Sequence, residues 1–194
     1  MLAGEVFFFA GMLARMPKSR FSAAWFWSGM MILLGLGAML GGIDHGIFQG
    51  QGLSRYPIER SNWLVLGAMT FFLLMTTATQ FFSRKVRRLF LIIGIIQFTA
   101  DAIFVLSVDS FLDVILNYAP VIILLLAMNF INLKNGTGSW DMITGILIMF
   151  AASGIQALGI DVLSPLDRNG LYHLVTMVGV VFFYRGGRRL RIDT

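Results

Sequence analysis

Apolar residues run on along this chain without the every-second-residue alternation of a half-buried strand. Seven such runs, near 2–16, 22–47, 61–83, 88–107, 111–133, 140–163 and 169–185, are separated by short polar or basic stretches. Most reach the ~20 residues that an α-helix needs to cross a bilayer core. A run lying in hydrocarbon must satisfy its own backbone hydrogen bonds, so each is read as a helix. A β-barrel would alternate in polarity, and these runs do not. The pattern predicts an all-α integral membrane protein: one seven-transmembrane-helix domain over residues 1–194. The first run is short and resembles a signal peptide, but "ARMPKSR" follows it, a basic loop with no small-residue cleavage site.

Composition supports the same class. Hydrophobic residues make up 57% of the chain and charged residues 13%, with a mean hydropathy of +0.80. Soluble domains carry about 25% charged residues. Charge then sets an orientation. Counted in alternate connections, one side holds twelve Lys and Arg: Arg15, Lys18, Arg20, Arg84, Lys85, Arg87, Arg88, Lys134, Arg185, Arg188, Arg189 and Arg191. The other side holds Arg55, Arg60 and Arg168, beside Asp109, Asp161 and Asp167. Positive charge stays cytoplasmic, so the N-terminus is expected outside and the C-terminus inside, in a bacterial plasma (inner) membrane. The net charge of +5 is thus a topology signal, and nucleic acid is not an expected partner. The tail "RGGRRLR" is expected to lie against anionic phospholipid. With no cysteine in the chain, disulfides and thiolate chemistry are excluded.

The candidate chemistry is sparse and lies at one depth. His45 falls near the outer end of the second run, in "GGIDHG", and His173 near the outer start of the seventh, in "NGLYHL". Asp101, Asn117, Tyr118, Gln156 and Glu5 fall in the outer halves of their own runs. An ionisable group within a membrane costs at least ~2.5–3.5 kcal/mol unless paired or hydrated. These side chains are therefore expected to face one another around an outward-facing polar pocket centred on His45, Asp101 and His173. Solvation at a helix end is the competing reading of Asp44 and His45, and interhelical hydrogen bonding that of Gln156, Asn117 and Tyr118. Asn169 can cap the seventh helix. Gly37 and Gly41, and Gly42 and Gly46, each four apart, offer smooth faces for a close neighbour. Pro120 is expected to open space beside Asn117 and Tyr118. The loop "QGQGLSRYPIER" is expected to be mobile and able to cover that space. Trp25, Trp27, Trp63 and Trp140 are expected as interface anchors, and the twelve methionines as packing.

"LGGIDHG", "NWLVLG" and "NGLYHLVTM" before a basic tail resemble a group of small bacterial seven-helix membrane proteins of unknown function. That group is distantly similar to the alkaline ceramidase and adiponectin-receptor superfamily of membrane hydrolases. The resemblance implies a zinc ion held by one His of helix two and a His-x-x-x-His pair of helix seven, with a Ser and an Asp nearby. Carried over, His45 matches the helix-two ligand and His173 the first of the helix-seven pair. Met177 stands at the second position of that pair, and Gly41 where the superfamily has Ser. A carboxylate, Asp44 or Asp101, would complete a ligand set of two histidines and one carboxylate. Asp44 and His45 diverge by about 100° on a regular helix, which favours Asp101.

Three functions follow. The leading one is a non-catalytic member of the hydrolase-like fold: a lipid-binding, sensing or complex-partner protein in the membrane. The second is a metal-dependent lipid amide or ester hydrolase, with Asp44 or Asp101 as base and Tyr118 or Tyr172 as oxyanion donor. The third is a haem protein with His45 and His173 as axial ligands. No inverted repeat or broken-helix pair favours a transporter.

Overall fold

The computed structural model describes residues 1–159 and 168–193, with the side chains of Arg168 and Asn169 outside the description. The expected end of the sixth run, Asp161, Asp167 and the Asn169 cap lie outside the described residues. The described residues form seven α-helices: α1 Leu2–Ala14, α2 Ala23–Ile43, α3 Tyr56–Phe81, α4 Arg84–Ser107, α5 Phe111–Ile131, α6 Trp140–Leu158 and α7 Arg168–Gly187. A π-helical turn, Asp44–Gln49, extends α2. Among the described residues five spans are long and apolar enough to cross a membrane: α2 with its π turn, α3, α4, α5 and α6. The protein is therefore a multi-pass helical membrane protein in its coarse architecture.

α1 is apolar but only 13 residues long, about 20 Å at 1.5 Å per residue. Its exposed C-terminal carbonyls are met by Lys18, whose Nζ donates to Leu13 O at 2.6 Å, Ala14 O at 2.9 Å and Met16 O at 2.9 Å. Burial holds the Lys18 ammonium below the usual lysine range. The start of α3 lies earlier than its apolar run, because Pro57 takes the first turn, where its missing N–H costs nothing.

α3 is the hub, packed on α2, α4 and α5; α7 packs on α6, α1 and α2. α3 accepts this burial because its threonines satisfy themselves. Thr70, Thr76, Thr77 and Thr79 each donate to the carbonyl four residues back, at 2.6–3.0 Å. The main core joins α1, α2, α3, α5, α6 and α7 through Val6, Trp27, Met31, Leu74, Leu125, Ile146 and Val180. α4 contributes only Gly94, Asp101 and Val105 to buried positions and lies at the periphery.

The tryptophans depart from expectation. Trp27 is 0% exposed, donates Nε1–H to Phe183 O at 3.1 Å, and packs where Gly187 has no side chain. Trp63 is also buried, while Trp140 is 64% exposed as an anchor would be. Of the glycine pairs, Gly37 and Gly41 do receive a neighbour, the Asn62 side chain of α3, but Gly42 and Gly46 face nothing within 4 Å.

Hydrogen bonds sort the connections into two ends. At one end Ser19 N–H donates to Ile192 O, Ala24 N–H to Arg191 O, Arg191 N–H to Gln80 Oε1, and Gln80 Nε2–H to Thr137 O. The first loop, the end of α3, the α5–α6 loop and the C-terminal segment thus meet. That segment is woven into the bundle, with Leu190 buried. At the other end Arg60 of α3 closes the α4–α5 turn. It donates to Val105 O and Val108 O at 2.7 Å each and to Asp109 Oδ1 at 2.7 Å, between the rings of Tyr56 and Trp63.

Candidate functional site

The π turn separates the two neighbours that opened the functional question. Asp44 is buried and His45 exposed. Asp44 takes a two-point grip from Arg55, Nε to Oδ1 at 2.9 Å and NH2 to Oδ2 at 2.6 Å, and Arg55 also reaches Glu59 at 2.9 Å. The carboxylates hold the Arg55 guanidinium above its usual range. A fork-to-fork pair of this kind fixes geometry as well as charge. It straps the 50–55 loop back onto the π turn, so the loop expected to roam is tied at its far end. The Asp44 oxygens are thereby occupied as acceptors and poorly suited to act as a base. His45 Nδ1 lies 2.8 Å from Gln49 Oε1, one turn on.

A second polar group forms between α4 and α5. Gln97 and Asp101 stand four apart on α4, and Asp113 and Asn117 four apart on α5, so each pair shares a face. Gln97 Nε2–H donates to Asn117 Oδ1 at 2.7 Å and to Asn117 O at 3.0 Å. Asn117 lies within hydrogen-bonding reach of Asp101, and Asp113 close enough to act on it electrostatically. These residues, with Ala100, Phe104 and Leu116, line a cleft of about 270 Å³. Asp101 is only 6% exposed, and its Oδ2 has no hydrogen-bond partner. The carboxyl reaches this depth because Gly67 of α3 leaves room, and a Cβ there would collide with it. Pro120 lacks the N–H that Leu116 O would otherwise receive four residues back, which frees a carbonyl beside the cleft. Outside the polar floor, Leu116 and Phe104 are exposed apolar walls.

Tyr118 is half-buried and within electrostatic range of half-buried Tyr172. His173 is exposed, with its ring edge-on to Tyr172 at 5.0 Å. Gln156 is exposed and Glu5 half-buried. His173 rides on α7 and Asp101 on α4, and those helices pack on different neighbours. The described residues thus show two polar groups, Asp44–Arg55–Glu59 and Asp101–Asn117–Gln97–Asp113, and both imidazoles are exposed. Among the described residues no three His, Cys, Asp or Glu side chains gather as a metal ion would require. The residues that sequence reasoning passed over are Arg55, Gln97 and Asp113. The four-residue spacing of the last two to Asp101 and Asn117 was the available signal.

The profile of a family of unknown function, DUF6962, matches residues 1–192. The chain belongs to this family. No curated protein and no solved structure matches it.

Proposed function

We propose that this chain is a seven-span protein of a bacterial plasma membrane, N-terminus outside and C-terminus cytoplasmic, that holds a membrane lipid in the α4–α5 cleft without chemically transforming it. The charge count supports this orientation, since the twelve-cation connections are the ones that meet at one end of the bundle. The observation that carries the binding role is the cleft itself. Its polar floor of Asp101, Asn117, Gln97 and Asp113 is open beside exposed apolar walls. Acyl chains suit the walls. Two carboxyl groups on the floor repel phosphate and favour a donor, so a headgroup with an ammonium or hydroxyl group suits the floor. A non-catalytic relative of the ceramidase-like hydrolases accommodates the resemblance in sequence, in which Met177 and Gly41 stand where that superfamily has His and Ser. Sensing or partner binding would be read out from the lipid-occupied cleft.

Protein purified in mild detergent tests the reading. Native mass spectrometry is expected to find co-purifying aminolipid at about one per chain. Asp101→Asn with Asn117→Leu should lower its retention about tenfold, the loss of one charge-assisted contact. Purified protein free of lipid, or one that cleaves the lipid, would contradict the proposal.

A further inference from the structure

At the opposite end of the bundle from the cleft, three arginines face a cavity. Arg185 lies in the last turn of α7, and Arg188 and Arg189 just beyond it. Together they line a space of about 300 Å³. Like charges so close would splay apart if nothing held them. One carboxylate does. Asp141, in the first turn of α6, has a side chain only 7% exposed and forms two ion pairs, Oδ1 with Arg185 Nε at 3.1 Å and Oδ2 with Arg189 NH1 at 2.8 Å. α6 and α7 come close enough for this because Gly186 sits against the Met142 backbone. Arg188 is oriented separately, its guanidinium 5.7 Å over the Tyr184 ring. Each guanidinium carries five N–H donors, and Asp141 engages one N–H-bearing nitrogen from each of its two partners. Among the described residues no other acceptor pairs with these guanidinium groups, which leaves donors for an anion, and three arginines against one aspartate leave a net excess of two positive charges. Exposed Trp140 adjoins Asp141 in sequence, the residue type that marks the headgroup level of a bilayer.

We infer that Arg185, Arg188 and Arg189, positioned by Asp141, form a built site for the phosphate group of an anionic membrane lipid. Planar guanidinium forks match phosphate oxygens in pairs, which a compact ammonium does not. The inference rests on the membrane-spanning reading above and is independent of the cleft and of the orientation. The site is to be read in detergent, whichever compartment the segment faces.

A diffuse basic patch and a built site respond oppositely to one substitution. Asp141→Asn adds net positive charge, so a diffuse patch would bind anionic lipid more tightly. In a built site the same change releases two arginines, and binding falls. Phosphatidylglycerol is titrated onto the detergent-purified full chain by native mass spectrometry, with phosphatidylcholine as the reference. One saturable phosphatidylglycerol site is expected. Asp141→Asn and Arg188→Gln should each weaken it about tenfold, the value of one charge-assisted contact. Lys134→Gln, which removes a cation at the same end outside the cavity, should leave it unchanged. Among the described residues Arg188 pairs with no carboxylate, so its variant keeps the test valid if Asp141→Asn fails to fold. Tighter binding by Asp141→Asn, or equal losses for Lys134→Gln and Arg188→Gln, would overturn the proposal in favour of a diffuse patch. Displacement of the lipid by inorganic phosphate at equal concentration would overturn the lipid as the source of the phosphate.

Discussion

Arg60 shows how one side chain can decide a local structure. It is 6% exposed, and its guanidinium supplies donors to two carbonyls at the end of α4 and to Asp109. Arg60→Ala would leave those carbonyls orphaned next to an apolar cluster of Trp63, Val105 and Val114. The expected cost is about 2–3 kcal/mol, read as a lowered thermal midpoint in detergent, with no loss from the opposite end of the bundle. His45 is the contrasting case. It is exposed and bonds only to Gln49 among the contacts described for it. His45→Ala should change stability by no more than about 0.5 kcal/mol. Treatment with a chelator should leave the melting midpoint where it was. A chelator-sensitive midpoint that His45→Ala abolishes would revive the zinc reading.

At the scale of elements, α3 and α4 meet through a glycine filled by a carboxyl group. Gly67→Ala would set a methyl where the Asp101 carboxyl lies. It should destabilise by about 1–3 kcal/mol, the usual cost of overpacking. Gly42→Ala, with nothing within 4 Å, should instead be neutral or stabilise α2 by about 0.5–1 kcal/mol through helix propensity. Paired melting curves of the two variants check this, and equal effects would remove the special role of Gly67. The helices themselves were legible in sequence because hydrocarbon leaves a long apolar run one backbone solution. Their rotations about their own axes were not. In sequence Asp44 is one of two candidate carboxylates to stand beside the histidines; in the structure it turns to Arg55, eleven residues on, from a π turn. Trp27 was read as an interface residue from its place near a helix end. Packing of α7 against α2 buries it. Such choices depend on which neighbour each face meets, and a single chain's hydropathy does not contain that. The i, i+4 pairs Gln97/Asp101 and Asp113/Asn117 are the exception, since their spacing announces a polar face on each of two adjacent helices.

At the scale of the whole molecule, the distribution of charge and the hydrogen-bonded ends tell one story. Arg15, Lys18 and Arg20, Arg84 to Arg88, Lys134, and the arginines after α7 collect where the C-terminal segment is woven in. The Asp44–Arg55 strap and the Arg60 clamp close the end away from them. The α4–α5 cleft opens nearer that second end, and the Arg185–Arg188–Arg189 cavity lies at the first. The two polar sites therefore serve opposite leaflets if the bundle stands across a bilayer. That it does so is the claim on which both sites depend, and the orientation proposed for it puts the cation-rich end inside. The absence of native cysteine makes the chain its own background for single-cysteine labelling. Gln51→Cys, in the loop after the π turn, should react with a membrane-impermeant maleimide in intact cells. Asn135→Cys, in the α5–α6 loop, should react only after the membrane is opened. Labelling of both from outside, or of Asn135→Cys alone, would contradict the account.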